Sequence, residues 1–228
     1  MEKVESISLF NKYIRETKIL ELFSNDMSDK MDLFYFKKGD ILINEGECSD
    51  YLFFLVNGRM KVFSHSSSGK VMFVSHFKSL QILGETCSLW RKTPTATVQA
   101  TTNGYCIGIS LTKHRELLFN DIKFLRYTCM NLGERLSYMN SNTCITMFDS
   151  LESRLASFIL NNSTDNIFHY NLTECAELLC TSYRHLLRVL NTFCNNNKLN
   201  KTGKYYKIID KDYFIEIASS SYDVNSSI

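Results

Sequence analysis

Four side chains between positions 183 and 188 are suited to bind a polyanion or a base edge: Tyr183, Arg184, His185 and Arg188. A guanidinium group donates paired hydrogen bonds to phosphate or to guanine, and a phenol or an imidazole adds a directional hydrogen bond. These groups can act together only if one rigid element presents them on the same side. The apolar residues among them recur at helical spacing: Leu186, Leu187, Val189 and Leu190.

The sequence TECAELLCTSYRHLLRVL, residues 173–190, predicts two short amphipathic helices joined by a tight turn. In the first helix, Glu174 and Glu177 face outward and three residues share the apolar face: Cys175, Leu178 and Leu179. We expect Thr173 to cap the first helix and Ser182 the second, because a hydroxyl oxygen accepts an unpaired amide proton at a helix start. This layout is typical of a helix-turn-helix that reads a DNA major groove, although a helical hairpin inside a core has the same pattern.

The residues after the helix pair predict a β-hairpin beside it. Lys198–Lys201 and Tyr205–Ile209 flank the turn Thr202-Gly203-Lys204, as in the wing of a winged helix-turn-helix, and Lys201 and Lys204 would lie near phosphates. A helix over Ser150–Asn161 and a polar loop precede the pair.

Residues 166–211 carry seven Lys or Arg against three acidic residues, whereas the net charge of the chain is only +2. The basic charge is therefore local, as binding to phosphates requires.

A heptad repeat runs from about Lys113 to Met147. Apolar residues recur in alternating steps of four and three, which predicts a long helix that pairs with a second copy as a parallel coiled coil. The predicted seam begins at Leu118, ends at Thr143 and Thr146, and has six central members: Ile122, Leu125, Cys129, Leu132, Leu136 and Met139. A helix packed along its own domain is the alternative, but it would need a wider apolar stripe.

Short β-type runs broken by glycines occupy residues 34–112. The glycines that punctuate them predict turns: Gly39, Gly46, Gly58, Gly69 and Gly84. Regular short strands of this kind favour an all-β barrel or sandwich. Residues 1–31 are expected to form one or two helices that lead into it.

Several classes of protein are excluded by composition and motif. The sequence contains no run of about 20 apolar residues, so we expect no membrane span. No secretory leader is visible, and the eight cysteines have no paired spacing, so we expect reduced thiols in a cytoplasmic protein. No phosphate-binding loop, nucleophile elbow or cupin-type histidine motif occurs. We therefore expect a binding protein and not an enzyme.

The order of these segments resembles the Crp/Fnr family of bacterial transcription regulators over nearly the whole chain. The resemblance is carried by FKKGDILINEGECSDYLFFLVNGRMKVFSHSSSGK (36–70), by LGETCSLWRKTPTATVQATT (83–102) and by the helix pair. Within the family, residues 124–132 and SYRHLL (182–187) are most similar to the YeiL-type regulators. The resemblance implies an α+β chain with three parts: a cyclic-nucleotide-binding-like β-barrel (a double-stranded β-helix, 1–112), a dimerisation helix (113–148) and a winged helix-turn-helix (149–228).

The resemblance also assigns partners and roles. It implies a homodimer that binds double-stranded DNA and contacts RNA polymerase. Tyr183, Arg184 and Arg188 take the base-reading positions, Ser182 contacts phosphate, and His185 contacts the DNA backbone or packs. Cys180 departs from the glycine that the family commonly has in the turn, and it would be strained if that position needs a positive φ.

The effector of the barrel is not identified by the sequence. Family members that bind a cyclic nucleotide use a glutamate, matched here by Glu85, and an arginine on the phosphate. This chain has Thr95 and Ala96 where the arginine is expected, so we predict that it does not bind cyclic AMP, because a buried anion needs a compensating charge. Glu85 would then accept backbone amide protons. Two alternatives remain. One is a response to a cyclic nucleotide. The other is a redox response, either through an iron–sulfur cluster or through thiols such as Cys129, which would face its copy across the dimer axis.

Overall fold

The structure is a computed structural model that describes residues 1–65, 71–77 and 80–218. The chain divides into two units, Met1–Glu134 and the part from Arg135 onward. The elements that begin in the first unit are β1 (Glu2–Val4), α1 (Ile7–Thr17), β2 (Met31–Phe36), β3 (Ile41–Ile43), β4 (Tyr51–Asn57), β5 (Met60–His65), β6 (Val71–Phe77), β7 (Gln81–Leu83), β8 (Thr97–Ala100), β9 (Gly104–Ser110), α2 (Leu111–Asn120) and α3 (Ile122–Phe148).

The strands of the first unit form two antiparallel sheets. One has the order β1-β2-β9-β4-β7 and the other the order β3-β8-β5-β6. Neighbours in both sheets are mostly distant in sequence, because the chain passes repeatedly from one sheet to the other; the consecutive pairs β1–β2 and β5–β6 are the exceptions. The predicted all-β unit is confirmed, and it takes the form of two sheets.

Strand β4 shows how the sequence produces the packing of this unit. Side chains alternate between the two faces of a strand. Leu52, Phe54 and Val56 therefore pack into the core beneath the helices, whereas Phe53 and Leu55 pack into the core between the sheets. All five residues are buried, so the continuous apolar run of β4 reflects a central strand with a hydrophobic core on each side.

Glycine is required where β4 turns into β5. Gly58 has a φ of +103°, in the left-handed region that favours glycine. A Cβ at Gly104 would lie 2.2 Å from the carbonyl oxygen of Asn57, so the turn can approach β9 only because residue 104 has no side chain. The predicted turns at Gly39, Gly46 and Gly84 also have positive φ, whereas the predicted turn at Gly69 lies outside the described residues.

The N-terminal segment differs from the prediction of helices alone. Helix α1 and short 3-10 helices at Ile19–Leu22 and Ser28–Lys30 are present, but Glu2–Val4 is a strand that pairs antiparallel with β2. The three residues Glu2, Lys3 and Val4 show no alternation of polar and apolar side chains that would predict a strand. Their conformation is set by the sheet edge on which they lie.

The predicted continuous helix from Lys113 to Met147 is wrong, because the chain breaks at Asp121 between α2 and α3. The Asp121 carboxylate accepts hydrogen bonds from the backbone amides of Lys123 and Phe124, and so caps α3. It also accepts from the Ser24 amide at 2.8 Å and the Ser24 hydroxyl at 2.7 Å. Burial raises the pKa of Asp121, but these hydrogen bonds outweigh it and hold the pKa below its ordinary value.

The second unit contains a helical core and a small sheet. Its elements are α4 (Leu151–Asn161), β10 (Ser163–Thr164), β11 (Ile167–Phe168), α5 (Leu172–Leu178), α6 (Tyr183–Asn195), β12 (Leu199–Thr202), β13 (Tyr205–Ile208) and α7 (Lys211–Ile217). The four strands form one antiparallel sheet in the order β10-β11-β13-β12. The core contains apolar residues from α4, α5, α6 and α7 and from the sheet, with Phe158, Phe168, Phe193 and Phe214 fully buried.

The polar loop predicted after α4 is instead the hairpin β10–β11. Asp165 and Asn166 both have positive φ, which suits a tight two-residue turn. Phe168 is buried and pairs with Tyr206 of the predicted wing, so the hairpin extends the wing sheet.

The predicted frayed tail, Ser219–Ile228, lies outside the described residues. No helix of the described part of the chain is long and apolar enough to cross a membrane.

Candidate nucleic-acid interface

Helices α5 and α6 confirm the predicted helix pair, but one of the two predicted caps is wrong. The Asn171 side chain, not Thr173, caps α5, accepting from the amides of Thr173 at 3.0 Å and Glu174 at 3.3 Å. Thr173 lies inside the helix, and asparagine is at least as good a cap as threonine. The Ser182 hydroxyl caps α6 as predicted, since it accepts from the His185 amide at 3.1 Å.

The turn between the helices is held by a buried arginine of α4. Cys180 adopts a φ of +49°, so the position does need the left-handed conformation that favours glycine. The Arg154 guanidinium, 8% exposed, donates a hydrogen bond from Nη1 to the Leu179 carbonyl oxygen. A cation at this position satisfies a carbonyl that the end of α5 leaves unpaired. Arg154 therefore fixes the turn that orients α6.

Helix α6 separates a buried face from a polar one. Four apolar side chains pack into the core: Leu186, Val189, Leu190 and Phe193. At about 100° per residue these side chains span roughly 100° of the helix surface. Arg184 and Arg188 point in the opposite direction and are exposed. The two predicted base-reading arginines thus lie on the outermost side of α6.

Two further residues share that outermost side and were not identified from the sequence. Asn191 and Asn195 are exposed and follow Arg184 and Arg188 at steps of 4, 3 and 4, so the four residues lie within about 60° of arc. We call them the polar stripe of α6. An open depression along this surface is lined by Ser182, Arg184, His185, Leu187, Arg188, Asn191, Thr192 and Asn195. The same periodicity that predicts the buried face identifies the stripe, but asparagine carries no charge, so residue type alone does not mark Asn191 and Asn195 as candidates for DNA binding.

The other predicted DNA-contacting residues lie around the N-terminal end of α6. Tyr183 is 48% exposed and lies about 100° around the helix from Arg184, at the edge of the buried face of α6 and away from the polar stripe. His185 is half-buried on the other side of the stripe. Ser182 is exposed, and its hydroxyl oxygen accepts the capping hydrogen bond, which does not engage the O–H donor.

The predicted wing is present as the hairpin β12–β13. Lys201 and Lys204 are exposed, and Gly203 takes a φ of +60° in the turn between the strands. The Lys201 ammonium lies 5.8 Å from the ring centroid of Tyr206, the residue that pairs with Lys201 on the neighbouring strand. Lys198 is engaged elsewhere, in an ion pair of 2.7 Å with Asp210. The two lysines predicted to approach phosphates are thus exposed near the tip of the hairpin.

Helix α3 carries an exposed apolar face along the predicted dimer seam. Ile122, Leu136 and Met139 are 58%, 60% and 48% exposed, Cys129 is also exposed, and Leu125 and Leu132 are half-buried. The buried face of the helix contains Phe124 and Thr128 instead, and Phe124 stacks on Phe23 at 5.4 Å. The extension of the seam to Leu118 is wrong, because Leu118 belongs to α2 and is fully buried in the first unit.

The predicted effector residues have different environments. Glu85 is buried, at 3% exposure, just after β7, whereas Thr95 is exposed and Ala96 half-buried before β8. The Pro94 carbonyl oxygen accepts from the Gly46 amide at 2.9 Å, so this segment is tied to the loop after β3. Arg115 of α2 donates to the Ser88 carbonyl oxygen at 3.0 Å. The segment from Pro94 to Thr97 itself supplies no cationic side chain where an arginine was expected.

The cysteines whose side chains the structure describes are not gathered into a ligand set. In the described ranges, no three His, Cys, Asp or Glu side chains are placed to hold a metal ion. Burial raises the pKa of Cys106 and of Cys175 to about 12, so both remain thiols at neutral pH. Cys48 and Cys129 are exposed, and all seven cysteines whose side chains the structure describes are unpaired.

Comparison with known proteins agrees with this architecture. Residues 33–121 match the cyclic nucleotide-binding domain family. The chain is 33% identical over 195 residues to the regulatory protein YeiL of Escherichia coli O157:H7, covering 85% of this chain and 88% of that protein.

Two of the solved structures that share the fold illustrate the similarity. One is a CooA mutant from Carboxydothermus hydrogenoformans, at 16% identity and a TM-score of 0.66, covering 96% of this chain and 98% of the other. The second is a transcriptional regulator of the Crp/Fnr family from Thermus thermophilus, at 14% identity and a TM-score of 0.64, covering 83% of this chain and all of the other.

Proposed function

The chain belongs to the Crp/Fnr family of transcription regulators, and from this premise we propose that it binds DNA sequence-specifically as a homodimer. Helix α6 enters the major groove in this proposal, and the wing hairpin contacts the flanking phosphates. The protein acts by binding and not as an enzyme, as its regulatory relatives suggest. Such a regulator works in the cytoplasm and is expected to contact RNA polymerase.

The observation that carries the proposal is the position of Arg184 and Arg188. Both side chains are exposed opposite the buried face of α6, and their guanidinium groups make no hydrogen bond or ion pair with any described residue. An unpaired guanidinium on the outermost side of a helix can reach a guanine edge, where it bonds to O6 and N7. The exposed Lys201 and Lys204 add cations beside the helix, as phosphate contacts require.

The apolar face of α3 supports the dimer. Exposed Ile122, Leu136 and Met139 follow a heptad spacing, and a second copy of the helix would remove them from water. Two copies related by a two-fold axis would present two α6 helices to half-sites about one DNA turn, roughly 34 Å, apart. The expected target is therefore a palindrome.

We propose that residues 1–112 sense an effector other than cyclic AMP. The family match gives this unit the fold of a cyclic nucleotide-binding domain, but Thr95 and Ala96 offer no positive charge to a phosphate. Buried Glu85 has a structural role in this proposal.

The experiment that tests DNA binding compares two arginine variants at fixed ionic strength. Wild type should bind a duplex from its own upstream region more tightly than a scrambled duplex in fluorescence anisotropy. Arg188→Ala should weaken specific binding by about 1–3 kcal/mol, because one bidentate contact is lost. Arg15→Ala, which removes an exposed arginine of α1, is the matched control and should bind like wild type.

Two results would contradict the proposal. One is equal affinity of the wild type for the specific and the scrambled duplex. The other is an Arg188→Ala protein whose affinity and preference match those of Arg15→Ala, because the guanidinium of residue 188 would then play no part in recognition.

A further inference from the structure

The polar stripe of α6 does not end at Arg188, and its next member has the chemistry of a base reader. Asn191 is one turn beyond Arg188, exposed, and opposite the buried ridge of α6. Its side-chain amide makes no hydrogen bond with any residue of the described ranges. Thr192, its neighbour, differs in this respect because its hydroxyl donates to the Arg188 carbonyl oxygen at 3.1 Å.

The direction of Asn191 distinguishes base contact from backbone contact. The outermost side of a helix lying in a groove faces the base edges, and its flanks face the phosphates on the groove walls. Asn191 lies within about 20° of Arg184 on the helix surface, whereas Thr192 and His185 lie roughly 80–100° to one side. Residues on the flank are placed for phosphates, and Asn191 is placed for bases.

The chemistry of the side chain selects the base. A carboxamide offers one donor and one acceptor, the complement of the N7 acceptor and N6 donor that adenine presents in the major groove. It offers no charge, so it gains little from a phosphate. Arg188 and Asn191 are about 4.5 Å apart along the helix axis, slightly more than one base-pair step of roughly 3.4 Å.

We propose that Asn191 is a specificity-determining residue that reads an adenine one or two base pairs from the base pair contacted by Arg188. This inference rests on the proposed DNA-binding function and deepens it, since it names a feature of the target sequence. Asn195 lies on the same stripe but a further turn toward the C-terminal end of α6. Base contacts of a recognition helix become fewer toward its C-terminal end, and Asn195 is the last residue of α6, so Asn195 contributes no base preference.

The test is selection of preferred sequences from a pool of random duplexes by the full-length protein. Wild type should select a palindrome with an adenine at one symmetric pair of positions. Asn191→Ala should lose that adenine preference, with an affinity for the wild-type site reduced about 5- to 150-fold, while preferences at the other positions persist. Asn195→Ala is the matched control, removing the same amide from the same stripe, and should select the wild-type sequence.

The outcomes separate this inference from the function on which it rests. If Asn191→Ala selects the wild-type palindrome with unchanged affinity, Asn191 does not read a base, and DNA binding stands. A uniform loss of affinity with every base preference retained also overturns the inference, because it indicates a backbone contact. If the wild type selects no sequence at all, the proposed function and the inference both fail.

Discussion

Cys180 provides a direct test of how the turn between α5 and α6 is built. Its φ of +49° places a side chain in the left-handed region, which costs about 1–2 kcal/mol for a residue with a Cβ. Cys180→Gly removes that strain but adds backbone entropy to the unfolded chain, worth about 0.5–1 kcal/mol. The side chain is exposed, so little packing is lost. The variant should therefore be more stable than wild type by about 0.5–1 kcal/mol.

The assay is thermal unfolding at one protein concentration, because a dimer has a concentration-dependent Tm. A gain of this size raises Tm by about 1–4 °C for a chain of this length. Cys180→Ala is the matched control, since it removes the thiol and keeps the Cβ and the strain, and its Tm should stay close to that of wild type. The reasoning is refuted if Cys180→Gly is no more stable than Cys180→Ala.

Two further predictions concern α3. Leu136→Asp should raise the dimer dissociation constant about 100-fold or more in sedimentation, because it places like charges on an apolar seam, whereas Ser137→Asp, exposed but off the seam, should leave it nearly unchanged. A dimer unaffected by Leu136→Asp would place the interface elsewhere. Asp121→Asn should lower the free energy of unfolding by about 1–3 kcal/mol at pH 7, since the carboxylate accepts hydrogen bonds from Ser24, Lys123 and Phe124. The pKa of Asp121 is lower in the folded than in the unfolded protein, so its stabilisation is complete above about pH 4 and lost as pH falls through the folded pKa. Urea unfolding should thus show the difference between the two proteins shrinking toward pH 3, and a difference independent of pH would contradict this account.

Local patterns were enough to predict the helix pair, the wing and the strand-rich first unit. The buried face of α6 repeats with the period of one helix, and the hairpin β12–β13 is indicated by Thr202-Gly203-Lys204 between two apolar segments. Ser182 is only three residues from the amide it caps. Each of these signals depends on residues a few positions apart, which the chain order itself brings together.

Two of the errors, the unbroken helix through Asp121 and the loop after α4, occurred where a distant contact outweighed the local pattern. The heptad repeat continues through Asp121, yet the helix breaks there because Ser24, 97 residues away in sequence, supplies two hydrogen bonds to the carboxylate. Likewise β10–β11 pairs because Phe168 is buried beside Tyr206, and not because its own sequence favours a strand.

The sequence by itself determined the order of the elements, the polar side of α6 and the spacing of its arginines, because helical and strand periodicities are properties of neighbouring residues. The tertiary structure alone decided which groups remain available for binding. Arg154 and Arg188 are the same residue type on similar helices, but Arg154 is buried against the end of α5 while the Arg188 side chain is exposed and unpaired. That difference arises from packing between α4 and α5, which the periodicity of neither helix predicts, and burial and hydrogen-bond satisfaction are fixed only when the two helices meet.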